Sequence, residues 1–310
     1  MAPLKRYKQH IVPLLGILLF AQHTVFAAEI NVYSARKEIL IKPLFDQFTK
    51  QSGIKINIVS GKADVLIKRL EIEGENSPAD LLLTVDVGRL HRAKEKNLLQ
   101  PISSEKLTSS IPSPYRDRDG YWFGLSLRSR VIVYANERVN PNQLSTYEAL
   151  ATQVWQGRLC VRSSSNIYNQ SLVASLIAHH GVAKTEDWAR EIVNNFARSP
   201  KGGDRDQIKA VAVGQCDLAL VNSYYLGGML HSRLEAEQKA ASRVSLFWPN
   251  QGDRGAHVNI SGAGITRSAK NKAEAIELVE FLASIKAQVQ YAEQNYEYPI
   301  KPGVPISTTL

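Results

Sequence analysis

Short apolar runs alternate with stretches of helical periodicity along the first third of the chain. Residues 29–34 and 55–59 have the apolar pattern of strands, and 40–52 between them has a helical pattern. A second helical pattern at 63–73 leads into the very apolar strand 80–84. Near-continuous apolar strands separated by helices are typical of a mostly parallel sheet that is covered on both faces.

The same rhythm continues beyond residue 120. Strand patterns lie at 130–134, 158–162 and 216–221, helical patterns lie at 167–180, 188–196 and 208–213, and 247–261 is strand-like with flanking glycines. The segment 270–295 is predicted as one long amphipathic helix, with Ile276, Val279, Leu282 and Ile285 on one face. Since the sequence has no flexible linker, we expect two lobes joined by crossover strands, with one crossover at 125–130.

The N-terminus has the three parts of a secretory signal. Three basic residues between positions 5 and 8 precede the apolar stretch 11–20, and Val25-Phe26-Ala27 resembles a cleavage site. A transmembrane anchor is the alternative, but the apolar stretch is interrupted and falls short of the roughly 20 residues that span a bilayer. We therefore predict a signal peptide at 1–27 and an exported, periplasmic mature chain that begins near Ala28.

The length and charge of the mature chain restrict its class. Removing residues 1–27 leaves 283 residues (310 minus 27), more than one domain of about 100 to 200 residues, so two lobes are expected. The formal charge of +9 (38 minus 29) falls to +6 without the three basic signal residues. These charges are scattered, without a long Lys/Arg block, so no nucleic-acid partner is expected.

Two cysteines, Cys160 and Cys216, lie in predicted strands, and export would place them in an oxidising compartment. One disulfide is the prediction. Two buried free thiols are the alternative, because the sequence does not show whether the two Cα atoms approach within about 7 Å. Two cysteines alone lack the ligand spacing of a zinc site.

Three tyrosines stand at predicted turns from a strand into a helix. Tyr168 follows the Ser-rich turn 163–166, and Tyr224 and Tyr225 follow the strand that ends near Val221. Ligands of α/β sheets bind just beyond the carboxyl ends of strands, so the three hydroxyls can converge on one point. The ordinary alternative is that each tyrosine packs its ring and hydrogen-bonds its hydroxyl.

A cluster of three phenols has a specific chemical use. A phenol has a pKa near 10 and is neutral at physiological pH, so several neighbouring phenolates need a strongly positive centre. Ferric iron is such a centre, because it is a hard trication that prefers oxygen donors, and tyrosinate serves as an iron ligand in other proteins.

Five motifs resemble ferric-iron-binding periplasmic proteins, a family that includes the FutA type: VYSARKE at 32–38, RSSSNIYNQSLVAS at 162–175, KGGDRDQIKA at 201–210, NSYYLGGML at 222–230 and HVNISGAGIT at 257–266. The resemblance covers nearly the whole mature chain. It implies an α/β, two-lobed periplasmic-binding-protein fold of type II-like form, with a cleft between the lobes. It also implies that Tyr168, Tyr224 and Tyr225 are ligands of Fe(III).

The lobe limits expected for such a fold are 28–127 plus about 250–285 for the first lobe, and 128–249 plus about 286–310 for the second. A pair of lobes of this kind closes on its ligand by a hinge motion.

One departure from the family pattern concerns the first lobe. Many relatives supply a further ligand from a His-Tyr pair directly after the arginine of the YSxR motif, but here those positions are Lys37 and Glu38. Three phenolates leave open positions on an octahedral ion, so an exogenous anion such as bicarbonate or carbonate is expected, held by Arg128, Arg36 and Lys37. The alternative for each basic residue is a solvated surface charge. Tyr33 is expected to pack beside the site, and Glu38 as a direct ligand is the minor alternative.

Two other functions remain open from the sequence. An oxyanion- or polyamine-binding protein would have the same architecture, because a fold does not select a ligand. A secreted hydrolase or transferase has little support, since the chain has no G-x-S-x-G, P-loop, H-E-x-x-H or G-x-G-x-x-G motif. We therefore expect a monomeric binding protein that is not an enzyme and delivers iron to an inner-membrane ABC permease and its ATPase.

Overall fold

The computed structural model describes residues 28–309, so the predicted signal peptide at 1–27 lies outside the described residues. The strands are β1 Glu29–Ser34, β2 Lys55–Ser60, β3 Leu81–Val85, β4 Phe123–Ala135, β5 Leu159–Cys160, β6 Leu218–Asn222, β7 Val244–Phe247, β8 Val258–Ile265 and β9 Tyr298–Pro299. The helices are α1 Glu38–Ser52, α2 Ala63–Glu73, α3 Val87–Glu95, α4 Glu105–Ser110, α5 Ile167–His180, α6 Val182–Asn194, α7 Asp204–Ala212, α8 Ser223–Leu230, α9 Glu235–Ala241, α10 Lys272–Leu282 and α11 Ile285–Asn295. None of the helices within 28–309 is long and apolar enough to cross a membrane.

The sheet runs in the order β2-β1-β3-β8-β4-β6-β5, and β7 and β9 pair with β4. Strands β1 and β2, β1 and β3, and β5 and β6 are parallel pairs. The antiparallel pairs all involve β4 or β8. Each lobe therefore has a parallel core, and antiparallel crossover strands join the two cores.

Strand β4 is the main connection between the lobes. Its residues from Phe123 to Ser129 pair with β8, and its residues from Arg130 to Tyr134 pair with β6. We propose this change of partner as the boundary between the lobes. It falls at the place where the sequence analysis put a crossover, and it leaves Arg128 and Arg130 on either side of the boundary.

The second lobe shows why its strands form. Along β4, Val131 and Val133 point into one hydrophobic cluster, while Ile132 between them points into another. Strand β6 alternates in the same way, with Ala219 on the first face and Leu220 on the second. Since side chains of a strand alternate between its two faces, this sheet is covered by a separate core on each side.

The C-terminal segment packs differently from the predicted domain limits. Ala287 and Tyr291 of α11, and Ile300 after it, are buried in the same cluster as Ile30 and Leu82 of the first lobe. The sequence analysis assigned 286–310 to the second lobe. The contacts favour the first lobe for the part up to Ile300, and we propose that assignment.

The prediction of one long helix at 270–295 is wrong. The chain forms α10 and α11, separated by Ala283 and Ser284, and the Ser284 hydroxyl accepts a hydrogen bond from the backbone N–H of Ala287 at 3.4 Å. A serine N-cap allows a second helix to begin here, because its hydroxyl accepts a hydrogen bond from a backbone N–H that has no partner within the new helix. Ile285 is consequently 61% exposed rather than on the apolar face.

A disulfide joins Cys160 of β5 to Cys216, which lies just before β6, with the two Cα atoms 5.9 Å apart. The described residues contain no free cysteine. The bond therefore ties together the two parallel strands that lead to the tyrosine-bearing turns.

Candidate metal site

A cleft of about 320 Å³ lies between the lobes. The first lobe lines it with 35–37, Ile39, Leu40 and Val85, the second lobe with Tyr168, Arg205, Tyr224, Tyr225 and Gly228, the crossover strand with Arg128, and the C-terminal segment with 294–297. The structure thus brings together the three tyrosines that the sequence analysis singled out. All three belong to one wall.

Tyr168 is held at the start of α5 by a local cap. The Asn166 side chain accepts a hydrogen bond from the Tyr168 backbone N–H at 3.0 Å, which makes Asn166 the N-cap residue and Tyr168 the second residue of the helix. The guanidinium carbons of Arg128 and Arg162 lie 5.2 Å and 5.4 Å from the centre of the Tyr168 ring. Two cations on one aromatic ring restrict its orientation.

Tyr224 and Tyr225 occupy the second and third positions of α8. Their ring centroids are 4.3 Å apart and their planes are tilted by 30°. On a strand, adjacent side chains would point to opposite faces, but at a helix start both rings reach the same cleft. Both tyrosine-bearing turns are therefore helix N-termini, where backbone N–H groups and the helix dipole favour negative charge.

The surroundings of the tyrosine pair keep both phenols neutral when no cation is bound. Burial and the neighbouring Tyr168 and Tyr225 raise the pKa of Tyr224 well above its usual value, although Arg128 acts in the opposite direction. Burial, Tyr168 and Asp204 raise the pKa of Tyr225 to about 12. A bound cation would have to displace these protons.

Arg128 is the most unusual charged residue of the cleft. Its side chain is only 1% exposed, and its Nε, Nη1 and Nη2 atoms have no hydrogen-bond partner among residues 28–309. Burial lowers the pKa of Arg128, but the adjacent Tyr168 and Tyr224 and two carboxylates outweigh burial and raise it. A buried, charged guanidinium with free donors beside a cleft has the chemistry to hydrogen-bond an anion.

The other residues predicted for the anion have different positions. The Arg36 guanidinium lines the cleft but is paired with Glu297 through two hydrogen bonds of 3.1 Å and 2.9 Å. Lys37 is exposed at the rim. Tyr33 is buried outside the cleft lining, and its hydroxyl donates to the Glu73 carboxylate at 2.8 Å. Glu38 does not line the cleft either.

Several residues at or behind the site were not predicted from the sequence. Glu297 and Arg205 line the cleft, and Asp204 and Arg130 form a buried ion pair behind it. One signal was available: Arg130 stands at the start of an otherwise apolar run, and a charge in a buried strand needs a partner. That partner, Asp204, is 74 positions away, so the sequence did not identify it.

One hydrogen bond joins the two walls next to the site. The hydroxyl of Ser171, one turn after Tyr168 on α5, donates to Oδ2 of Asp86 in the first lobe at 2.8 Å. Asp86 has a φ of 82° and caps α3. A non-glycine residue in this conformation is strained, and such strain concentrates at functional sites.

Conventional metal-binding clusters are not found elsewhere in the described part of the chain. Among residues 28–309, no three His, Cys, Asp or Glu side chains are grouped as potential metal ligands. The tyrosine cluster is hence the donor set that this cleft offers, and it offers hard oxygen donors.

The chain is similar to known bacterial binding proteins in sequence and in structure. A protein-family model described as bacterial extracellular solute-binding protein matches residues 76–307. Iron uptake protein A1 of Synechocystis is 49% identical over 282 residues, which are 91% of this chain and 78% of that protein.

Two solved structures are similar over nearly their full lengths. A Trichodesmium protein, described as IdiA (FutA) in complex with iron and citrate ligands, has 51% sequence identity and a TM-score of 0.88, with 91% of this chain and 90% of that one covered. The ferric binding protein from Campylobacter jejuni has 38% identity and a TM-score of 0.87, with coverages of 90% and 89%.

Proposed function

Because this chain belongs to the family of bacterial extracellular solute-binding proteins, we propose that it captures ferric iron in the cleft between its lobes. The observation that carries the proposal is the convergence of Tyr168, Tyr224 and Tyr225 on one cleft wall. The names of its relatives, an iron uptake protein and ferric binding proteins, point to the same cargo.

The donor set suits a ferric ion by charge and by hardness. Three phenolates carry three negative charges and so neutralise the trication, while the helix N-termini that present them stabilise the anionic form of each ring. Ferrous iron is a softer ion of lower charge, so it would stabilise three neighbouring phenolates less well. The site therefore favours the ferric state.

Arg128 supports a second component of the cargo. With iron and three phenolates neutral together, the buried guanidinium still has three donor atoms without a hydrogen-bond partner among residues 28–309. A monoanion with several oxygens would accept hydrogen bonds from these donors and fill the open coordination positions of the metal. Bicarbonate has this chemistry, and so has one carboxylate of citrate, the ligand described with iron in the Trichodesmium structure.

The delivery of the cargo follows from the family. Solute-binding proteins of this kind hand their ligand to a membrane permease, so we propose an inner-membrane ABC permease and its ATPase as partners. The relatives include a protein described as Fe(3+)-binding and periplasmic. Together with the signal predicted at 1–27, this supports a periplasmic location.

A second candidate, an oxyanion-binding protein, is favoured by one observation, the unpartnered Arg128 guanidinium. It would use the cleft without metal, with the α5 N-terminus and Arg128 as donors. In that case the three phenols would remain neutral.

Loading of the purified protein separates these candidates. With ferric chloride supplied as its citrate complex, we expect one iron per chain and a visible phenolate-to-iron charge-transfer band. Without metal, phosphate, sulfate or bicarbonate should leave the melting temperature unchanged. Tight binding of one of these oxyanions by the metal-free protein, with no iron retained, would favour the second candidate.

A further inference from the structure

The two tyrosine-bearing turns are connected from behind by a buried ion pair. Nη1 of Arg130, on the crossover strand β4, donates to Oδ2 of Asp204, the first residue of α7, at 2.9 Å. Each residue is 1% exposed. An ion pair buried this completely is weak evidence for stability, because desolvation offsets much of the attraction, so its contacts have to show its use.

The carboxylate of Asp204 holds the turn before the tyrosine pair. Its Oδ2 accepts a hydrogen bond from the backbone N–H of Asn222 at 2.8 Å, and its Oδ1 accepts one from Arg162 at 3.1 Å. Asn222 is the N-cap position of α8, and its own side chain makes no capping bond there. Asp204 therefore fixes the backbone two residues before Tyr224.

The guanidinium of Arg130 reaches both turns at once. Its Nη2 donates to Oδ1 of Asn169 at 2.7 Å, and its Nη1 donates to Oδ1 of Asn222 at 3.3 Å. Asn169 directly follows Tyr168, and its Nδ2 donates back to the carbonyl oxygen of Arg162 at 3.0 Å. The helix starts of α5 and α8 are thus joined through one side chain.

We propose that Asp204 and Arg130 are positioning residues that hold Tyr168 and the Tyr224–Tyr225 pair in one metal-binding geometry. This inference rests on the proposed ferric function. Metal affinity depends on donors that are already placed at the distances the ion requires, and residues bonded to the elements that carry ligands supply that placement. Arg130 lies on the crossover strand β4, so the same ion pair also connects the helix starts that carry the three tyrosines to this strand.

The chain offers a matched control at the other end of β6. Asp217 lies just before this strand, and its carboxylate is also bonded by two arginines, with 2.7 Å from Nε of Arg138 and 2.7 Å from Nε of Arg158. Within residues 28–309 its carboxylate makes no hydrogen bond to either tyrosine-bearing turn. A general effect of losing an arginine–carboxylate pair should therefore appear when either Asp204 or Asp217 is replaced. An effect on the placement of the tyrosine donors should appear only when Asp204 is replaced.

The experiment compares Asp204→Asn with Asp217→Asn in the full mature chain, using ferric citrate as the probe. We expect Asp204→Asn to lower ferric affinity about 10- to 100-fold, the range for residues that orient metal ligands, and to shift the charge-transfer band. Asp217→Asn should leave affinity within about threefold of wild type and leave the band unchanged. Asp204→Glu, which keeps the charge, should recover part of the loss.

A second variant keeps the test decisive if Asp204→Asn does not fold. Asn169→Ala removes the bond between Arg130 and the Tyr168 turn but leaves the ion pair intact, and it should also lower affinity and shift the band. Unchanged affinity and band in the variants that fold would overturn the proposal, as would equal losses in Asp204→Asn and Asp217→Asn. Failure of the wild-type protein to bind ferric iron would instead overturn the proposed function itself.

Discussion

The two walls of the cleft differ in the chemistry they present. The second-lobe wall has three phenols at two helix starts, fixed by a buried network. The first-lobe wall has Ala35, Val85 and two cations, and the carboxylate that lines the cleft beside it, Glu297, is bonded to Arg36 and Ser126. The structure therefore places the phenol oxygens on one wall and the first-lobe cations on the other.

This asymmetry suggests an order of events. The second lobe can hold ferric iron with the cleft open, because all its proposed donors are on that side. The first lobe meets this wall through the hydrogen bond from Ser171 to Asp86, and we propose that closing of the lobes adds shielding and anion binding by the first-lobe cations.

Removing a donor oxygen from the second wall should have the largest effect. Tyr168→Phe, Tyr224→Phe and Tyr225→Phe each keep the ring and delete one ligand, so ferric affinity should fall roughly 100- to 1,000-fold if the metal-binding free energy is shared among few ligands. Competition with citrate measures the affinity, and the visible band should weaken or move.

A tyrosine of the first lobe that lies outside the cleft lining supplies the control for this prediction. Tyr33→Phe removes a buried hydroxyl that is bonded to Glu73 away from the cleft, so it should leave affinity and colour unchanged. If all three second-wall variants bind iron as the wild type does, the contrast between the walls is wrong and the oxyanion function becomes the better proposal.

Replacing Arg128 should have the next largest effect on affinity. Arg128→Met keeps the aliphatic volume but removes the donors for the anion, so ferric affinity should fall about 10- to 100-fold and lose its dependence on added bicarbonate or citrate. The metal-free variant should be more stable than wild type, because a buried charge without partners is unfavourable. Iron titration checks the expected loss of affinity, and thermal unfolding of the metal-free samples checks the expected gain in stability.

Lys37→Gln on the first wall is the comparison for Arg128→Met. Lys37 is exposed at the rim, so its loss should change affinity only slightly and only at low salt. Equal losses in the two variants would show that the anion is held by the general field of the cleft rather than by the buried guanidinium.

The sequence singled out the three tyrosines of the second wall, but not the buried ion pair between Arg130 and Asp204 behind them. The family resemblance and the two-lobed α/β fold are confirmed, because the solved relatives share the fold at TM-scores of 0.87 and 0.88. Gly53, in the left-handed conformation at φ 75°, ends α1, and Asn166 caps α5, so the local signals were sufficient there. These signals depend on neighbours within a few residues.

Long-range features were not accessible in the same way. The pairing of Arg130 with Asp204 depends on how β4 lies beside β6. No local sequence pattern predicts that strand pairing. The break between α10 and α11 was missed because the apolar spacing continues through Ser284, and only tertiary packing chooses the cap over a longer helix. The roles of Tyr168, Tyr224 and Tyr225 as ligands remain a prediction.

Acid should release iron, because protons compete for the phenolates of the second wall and for any bound bicarbonate. The raised pKa values of Tyr224 and Tyr225 mean that both phenols hold their protons in the metal-free protein at neutral pH, so each must lose one when iron binds. Affinity should therefore rise about tenfold per pH unit for each phenolate formed, and fall in the same way on acidification, at all pH values below the phenol pKa values. Tyr224→Phe and Tyr225→Phe should each reduce this slope by about one, which a pH series of competition titrations would measure. A slope that the substitutions leave unchanged would assign the protons to other groups.

The smallest effect on affinity is expected from the disulfide, although it lies behind the same wall. Cys160 and Cys216 close a loop with a sequence separation of 56, and replacing both with alanine should lower the free energy of unfolding by about 4 kcal/mol in the loop-entropy description. Ferric affinity should nevertheless stay within about threefold, because β5 and β6 remain paired at Leu159 and Leu218, and Asp204 still holds the helix starts. Chemical denaturation and iron titration of the double variant measure the two quantities separately. A loss of affinity as large as that expected for Asp204→Asn would show that the covalent bond, and not the buried ion pair, keeps the donors of the second wall in place.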